Sequence, residues 1–127
     1  MKTLNIRWQR VLDDKKQTCN RCSDTEAEMK QAVETLRPVL LKQGIVLELE
    51  MAAMTEAEFQ RSPTESNRIW IQGKPLETWL DATAGSNPCE GVCAGNECRT
   101  LDIDGGRFEA VKAGYLEQAI RKAAETL

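Results

Sequence analysis

The stretch "KQGIVLELEM", from Lys42 to Met51, places a helix-ending signal directly before a strand signal. Gly44 is a residue that commonly ends a helix, because glycine adopts the left-handed backbone conformation without a steric penalty. After it, every second residue from Ile45 to Met51 is apolar, and two glutamates lie between them. This period of two is typical of a half-buried strand. The stretch therefore predicts a helix that leads into a strand.

A second alternating stretch near the N-terminus predicts the partner of this strand. Leu4, Ile6 and Trp8 alternate with polar residues. Between the two strands, apolar residues recur three and four positions apart, as in an amphipathic helix: Met29, Ala32, Val33, Leu36 and Leu40. A strand–helix–strand unit favours parallel strands with a right-handed crossover. We expect Leu4–Trp8 and Ile45–Met51 to be parallel neighbours, with a helix over Thr25–Gln43 between them.

The start of this helix is predicted by two overlapping capping boxes. Ser23 is followed by Glu26, and Thr25 by Glu28. In such a box the hydroxyl and the carboxylate each accept a hydrogen bond from backbone N–H groups that the helix leaves unpaired. The pattern predicts that the helix begins beyond Cys22.

The rest of the chain completes an α/β fold in one domain, residues 1–127. We expect a short capped helical turn over Thr55–Phe59, a short strand over Ile69–Ile71 and a short helix over Leu76–Leu80. Residues Asp81–Glu97 are rich in Gly, Ala, Asn and Pro and predict a Cys-rich loop. A hairpin around Asp-Gly-Gly and a C-terminal amphipathic helix follow. The apolar face of that helix is Leu116, Ala119, Ile120, Ala123 and Leu127.

Composition excludes several classes of function. The formal net charge of −3 gives no reason to expect nucleic acid as a partner, and no apolar run approaches the length of a membrane span. Arginines interrupt the N-terminus where a signal peptide needs its apolar segment, so we expect a cytoplasmic protein. The chain has no histidine, which removes Cys-His and Ser-His nucleophiles and any metal site that needs imidazole.

Cys19 and Cys22 form a Cys-x-x-Cys pair between the first predicted strand and its helix. In a cytoplasmic protein, this position is typical of a thioredoxin-like redox pair. Two intervening residues let the sulfurs close a small ring that stays reducible. A helix N-terminus and a nearby cation, here Arg21, stabilise the thiolate. The same pair also resembles one half of a metal site.

A second cluster, Cys89, Cys93 and Cys98, keeps a metal hypothesis open. Together with Cys19 and Cys22 it supplies more thiolates than one tetrahedral ion needs, and thiolates favour zinc or copper(I). The spacing is not that of a standard zinc ribbon, so a second, regulatory disulfide is an alternative. Beside this cluster we expect the side chain of Arg99 to be solvated.

Four segments, "TLNIRWQR", "TCNRCSDT", "ESNRIWIQGKPLETWL" and "CEGVCAGNECRTLDIDGGRFEAV", carry a resemblance over almost the whole chain. They resemble an uncharacterised prokaryotic family, a domain of unknown function within the thioredoxin-like superfamily. The resemblance implies a thioredoxin-like fold, with Cys19 and Cys22 as the counterparts of the superfamily's active-site pair. Where that superfamily carries a cis-proline before its third strand, this chain has Asn67, which leaves the pair more open to metal.

The leading hypothesis is a thiol–disulfide redox protein with Cys19 as the attacking thiolate and Cys22 as the resolving thiol. Its partners are protein or small-molecule thiols and disulfides, and it requires no cofactor. The first alternative is a protein that binds or senses a soft metal. It would hold zinc, copper or another thiophilic metal through Cys19, Cys22 and the loop with Cys89, Cys93 and Cys98. The second alternative is a small interaction module with incidental thiols. The sequence leaves the oligomeric state open.

Overall fold

The computed structural model describes residues 1–12, 20–88 and 97–127 of the chain. In chain order the elements are β1 (Lys2–Val11), α1 (Asn20–Leu41), β2 (Ile45–Met54), α2 (Glu56–Arg61), a 3-10 turn (Pro63–Glu65), β3 (Arg68–Ile71), β4 (Lys74–Pro75), α3 (Leu76–Leu80), β5 (Thr83–Pro88), β6 (Glu97–Ile103), β7 (Gly106–Phe108) and α4 (Ala113–Glu125). The fold is therefore mixed α/β.

Strands β1 and β2 are parallel neighbours, as predicted. Their register runs from Lys2 opposite Ile45 to Val11 opposite Met54, and α1 lies between them in the chain. The residue that lets the chain turn from α1 into β2 is Gly44, whose φ is +77°. Its N–H donates to the Leu41 carbonyl at 3.0 Å. The prediction from the sequence around Gly44 is confirmed.

A four-stranded sheet is completed on the other side of β1. Strand β3 pairs antiparallel with β1, and β4 pairs antiparallel with β3, so the strand order is β2-β1-β3-β4. A tight turn at Gln72 and Gly73 joins β3 to β4, and both residues have positive φ angles, of 53° and 76°. The expected short strand and the short helix after it are therefore present.

The core lies where α1 and α4 cover the sheet. Helix α4 packs against α1 and also contacts β3. Alternate residues of β1 and β2, the apolar stripe of α1 and the apolar face of α4 supply the fully buried side chains, among them Leu4, Ile6, Trp8, Met29, Leu36, Leu47, Leu116 and Ile120. In the described parts of the chain, no helix is both long and apolar enough to cross a membrane.

Strands β5, β6 and β7 form a second, antiparallel sheet. The β6–β7 hairpin was predicted, and it turns at Asp104 and Gly105, where φ is 54° and 78°. The expectation of a loop from Asp81 to Glu97 is wrong over Thr83–Pro88, which is β5, and at Glu97, where β6 begins. Residues 89–96, with Cys89 and Cys93, lie outside the described residues.

Strand β5 escapes sequence analysis because its residues are small and polar and none of them is buried. No apolar alternation marks it, so its pairing with β6 is what holds it. Gly85 makes that pairing possible. A Cβ at this position would lie 2.5 Å from Asp102 Oδ2 and 2.8 Å from Thr100 Oγ1. The missing side chain leaves room for the polar groups of the neighbouring strand.

The predicted start of α1 is also wrong. The helix begins at Asn20, so it includes Cys22 in its first turn. Thr25, which the capping box had placed at the helix end, is fully buried inside the helix. Its hydroxyl accepts the N–H of Val111, just before α4, at 3.2 Å. A long-range contact, which the local pattern could not reveal, gives Thr25 a different role.

Candidate functional site

Cys22 lies at the carboxyl end of β1, in the first turn of α1. Its thiol is fully buried. The N–H groups of a first helical turn have no partners within the helix and carry partial positive charge, which stabilises a nearby thiolate. Cys19, the other half of the predicted pair, lies outside the described residues, as do Cys89 and Cys93.

Ser66, in the segment before β3, contacts this cysteine. Ser66 Oγ is 3.6 Å from Cys22 Sγ, within hydrogen-bonding distance for sulfur. The same oxygen accepts the backbone N–H of Val11, at the end of β1, at 3.0 Å. Ser66 is only 3% exposed. One buried hydroxyl therefore links the end of β1, the start of α1 and the approach to β3.

Asn67 fixes the next position of the same segment. Its side-chain oxygen accepts the indole N–H of the fully buried Trp8 at 3.0 Å. Its backbone is left-handed, with φ at 60°, a conformation that asparagine adopts more readily than most residues. Sequence analysis gave Ser66 no role and named Asn67 only as the residue in place of the superfamily's cis-proline. The one available signal was Trp8, since a buried indole N–H needs an acceptor somewhere.

Two further hydrogen bonds hold the backbone just before Ser66. Gln9 Nε2, on β1, donates to the Glu65 carbonyl at 2.9 Å. Arg99 Nη1, on β6, donates to the Thr64 carbonyl at 2.9 Å. The segment from Thr64 to Asn67 is thus fixed from β1 on one side and from the second sheet on the other. It positions the hydroxyl that contacts Cys22.

Arg99 also forms a largely buried ion pair, so the expectation that it is solvated is wrong. Its Nη2 and Nε donate to Glu77 Oε1, on α3, at 2.7 and 3.1 Å. The two side chains are 12% and 13% exposed. The residue before it, Cys98, is 4% exposed and is one half of a disulfide. The last cysteine of the second cluster is therefore next in the chain to the arginine that donates to the Thr64 carbonyl.

The carboxylates of the β6–β7 hairpin are engaged in structure. Arg107 and Thr100 donate to Asp102, which lowers the pKa of that carboxyl. Tyr115 donates to Asp104 at 3.3 Å, and partial burial together with this carboxylate raises the pKa of the phenol. These contacts account for both carboxylates without an acid–base pair.

The metal hypothesis is not tested by the described residues. Among residues 1–12, 20–88 and 97–127, no three carboxylates or thiols come together as a metal site. Three of the five cysteines that the hypothesis uses fall elsewhere in the chain. Zinc or copper binding by Cys19, Cys22, Cys89, Cys93 and Cys98 stays a prediction.

Comparison with known proteins identifies the family. Residues 4–120 match the family described as a domain of unknown function, DUF2703, and the chain belongs to it. The chain is also 40% identical over 110 residues to an uncharacterised protein of Archaeoglobus fulgidus, a match that spans 87% of this chain and 80% of that protein. No solved structure matches the chain.

Proposed function

We propose that this chain is a cytoplasmic thioredoxin-like redox protein in which Cys19 and Cys22 exchange a disulfide with other thiols. One observation carries the proposal: Cys22 lies in the first turn of α1, the helix that connects the parallel strands β1 and β2. That is the position from which a helix N-terminus stabilises a thiolate. Because α1 begins at Asn20, Cys22 lies within the helix, whereas the capping boxes had predicted a start beyond Cys22.

The order of the elements supports the thioredoxin-like assignment. After the parallel unit, β3 and β4 add an antiparallel hairpin on the far side of β1, and the last helix packs beside α1. A Cys-x-x-Cys beside a βαβ unit is the context that indicates a thioredoxin-like redox motif. Here α3 and the three-stranded sheet lie between β4 and α4 in the chain. Fold alone does not determine chemistry, so the proposal rests on the cysteines.

The proposed exchange has two steps. The Cys19 thiolate attacks a substrate disulfide, which forms a mixed disulfide with one substrate sulfur and releases the other as a thiolate. The Cys22 thiolate then attacks the Cys19 sulfur, which releases the second substrate thiolate and closes the Cys19–Cys22 disulfide. The pair loses two electrons and the substrate gains them. A cellular dithiol, or two monothiols, reverses the exchange. The burial of Cys22 suits a resolving thiol, since it is shielded from external disulfides.

The sequence permits a specific test by tryptic mapping. Trypsin cleaves after Arg21, so a Cys19–Cys22 disulfide joins two peptides, Gln17–Arg21 and Cys22–Lys30. The later three cysteines stay together in the peptide Ile69–Arg99, because Lys74 precedes a proline. The protein is equilibrated in glutathione buffers with increasing ratios of oxidised to reduced glutathione and then digested. As the ratio rises, the two separate peptides should be replaced by the joined one. Failure of the joined peptide to form at any poise would contradict the proposal.

Variants assign the two roles. Cys19→Ser should abolish exchange with a model disulfide, because the attacking thiolate is gone. Cys22→Ser should accumulate a mixed disulfide between Cys19 and the substrate, visible as an added mass on the peptide Gln17–Arg21. Cys98→Ser is the matched control outside the pair, and it should leave the joined peptide intact.

A further inference from the structure

We propose that Ser66 is a positioning residue for the cysteine pair: its hydroxyl donates a hydrogen bond to the Cys22 sulfur and stabilises the thiolate form. This inference rests on the proposed function of Cys22 as the resolving thiol. The contact is the 3.6 Å approach of Ser66 Oγ to Cys22 Sγ across 44 residues of sequence. Ser66 lies outside the cysteine motif, between the 3-10 turn and β3, in a segment for which the sequence analysis predicted no function.

The direction of the hydrogen bond follows from the other contact of Ser66. A serine hydroxyl has one hydrogen to donate and two lone pairs to accept with. One lone pair already receives the Val11 N–H at 3.0 Å. The hydroxyl hydrogen is thereby left for another acceptor, and the Cys22 sulfur lies within reach. A thiolate accepts such a bond better than a thiol does, because bonds to charged acceptors are stronger.

The burial of both residues strengthens the hydrogen bond between Ser66 and Cys22. Ser66 is 3% exposed and Cys22 is fully buried, so water does not compete for either group. A buried hydrogen bond acts in a low dielectric and is correspondingly stronger. The carbonyls of Thr64 and Glu65 and the side chain of Asn67 are held by Arg99, Gln9 and Trp8. The hydroxyl is therefore fixed in place before the cysteine becomes charged.

Several charged side chains on the adjoining described segments have partners of their own. Glu65 pairs with Arg68 at 2.7 Å, and Arg10 donates to the Ala52 carbonyl while it stacks over Trp8. On α1 itself, Asp24 is exposed and Glu26 pairs with Lys30. From the segment before β3, Ser66 Oγ comes within hydrogen-bonding distance of Cys22 Sγ.

A stabilised thiolate has two measurable consequences. Cys22 titrates at a lower pH with the hydroxyl present than without it. The dithiol state is also favoured over the disulfide, because only the reduced pair contains the thiolate, so the reduction potential of the pair is raised. Removing the hydroxyl should reverse both effects.

The test follows the Cβ resonance of Cys22 by NMR through a pH titration of reduced, cysteine-labelled protein, with the resonance assigned by its loss in Cys22→Ser. In Ser66→Ala the midpoint should rise by about one pH unit, which is roughly a tenfold loss of thiolate at pH values below it. Ser66→Thr keeps a hydroxyl and should keep the wild-type midpoint. The potential of the pair should become more negative in Ser66→Ala alone.

A control variant distinguishes a specific shift of the Cys22 midpoint from a general loss of stability. Thr25→Val removes another buried hydroxyl of the same region, one that accepts the backbone N–H of Val111. It should lower stability and leave the Cys22 midpoint unchanged. If Ser66→Ala does not fold, Ser66→Gly takes its place, since it leaves space for a water to receive the Val11 N–H.

The possible outcomes are distinct. An unchanged Cys22 midpoint in a folded Ser66→Ala or Ser66→Gly protein overturns the inference, even if the disulfide titrates normally. An equal shift in Thr25→Val also overturns it, because the effect would then be unspecific. A raised midpoint together with failure to form any Cys19–Cys22 disulfide supports the Ser66 contact and contradicts the proposed function.

Discussion

Arg99 and Glu77 form an ion pair that ties the three-stranded sheet to α3, with 2.7 Å between Nη2 and Oε1. The second carboxylate oxygen of Glu77 has no hydrogen-bond partner among the described residues. Arg99 meanwhile reaches the Thr64 carbonyl, two residues before Ser66. The Arg99 side chain thereby connects the second sheet with α3 and with the segment beside Cys22.

Truncating either partner of this pair should destabilise the fold strongly. Breaking a largely buried ion pair leaves one charge without its partner, which typically costs about 3 kcal/mol or more. We expect Arg99→Ala to lower the free energy of unfolding by about that amount, as measured by urea denaturation. The double variant Arg99→Met/Glu77→Leu should recover much of the loss, because no charge then stays buried.

The exposed pair of Lys30 and Glu26 provides the control. Its side chains are 59% and 35% exposed, on the surface of α1. A pair of this kind contributes less than about 0.5 kcal/mol, so Lys30→Ala should barely change the urea midpoint. If Arg99→Ala and Lys30→Ala lower the free energy of unfolding equally, the buried Arg99–Glu77 pair stabilises the fold no more than an exposed pair does.

The hairpin carboxylate Asp102 should contribute to acid sensitivity. Hydrogen bonds from Arg107 and then Thr100 hold the pKa of this carboxyl below its usual range. Such a group stabilises the folded state above its unfolded pKa, near about 4, and loses that contribution as pH falls through the folded pKa. Between pH 7 and about pH 3, the urea midpoint should therefore fall less in Asp102→Asn than in the wild type.

The Asp102 prediction can be checked by repeating the measurement at a higher salt concentration. The Arg107 side chain is 53% exposed and that of Asp102 is 24% exposed, so added salt should screen their interaction. The acid-induced fall of the urea midpoint in the wild type should then come closer to that in Asp102→Asn. Parallel acid profiles for the two proteins at low salt would mean that Asp102 has the same pKa in the folded and unfolded states.

Metal content decides between the leading hypothesis and its first alternative. Protein purified under reducing conditions without chelator should carry well below one metal ion per chain if Cys19 and Cys22 are a redox pair. A metal protein would hold close to one zinc or copper per chain and resist mild oxidation. It would also protect both Cys19 and Cys22 from alkylation and release protons on binding. Protection of Cys89, Cys93 and Cys98 alone would instead indicate a structural site beside a separate redox pair.

The sequence predicts this fold best where burial is periodic. The alternation in β1 and β2 and the stripes of α1 and α4 follow directly from which faces meet the core. The alternation cannot reveal β5, whose residues are not buried and whose pairing depends on Gly85 lying over β6. Nor could local capping signals identify the start of α1, because the Thr25 hydroxyl does not cap the helix. It accepts a hydrogen bond from the N–H of Val111, 86 residues away.

In the candidate site too, the sequence predicts the local feature and not the long-range contacts. The cysteine spacing identifies Cys22, since spacing is a local property. Its neighbour Ser66 is 44 residues distant, and the Trp8–Asn67 bond spans 59. Both polar contacts form only because β3 returns antiparallel beside β1 and brings its preceding segment to the same end of the sheet. They depend on a topology that no local pattern contains.

The Trp8–Asn67 bond can be separated from the backbone strain at the same residue. Asn67→Gly removes the acceptor of the buried indole N–H but suits the left-handed φ of 60°. It should cost about 1–3 kcal/mol, the usual penalty for a buried donor without a partner. Asn67→Ala should cost roughly 1–2 kcal/mol more, because a Cβ is disfavoured in that conformation. Urea denaturation followed by tryptophan fluorescence measures both.

Asp81 is the matched control for the backbone part of this argument. It too is left-handed, with φ at 55°, at the end of α3, and its side chain is exposed. Asp81→Gly should be neutral or slightly stabilising, whereas Asp81→Ala should lose roughly 1–2 kcal/mol for the same steric reason as at Asn67. If Asn67→Gly proves as harmless as Asp81→Gly, the indole bond does not stabilise the segment before β3. Ser66 would then be held in place by its other neighbours alone.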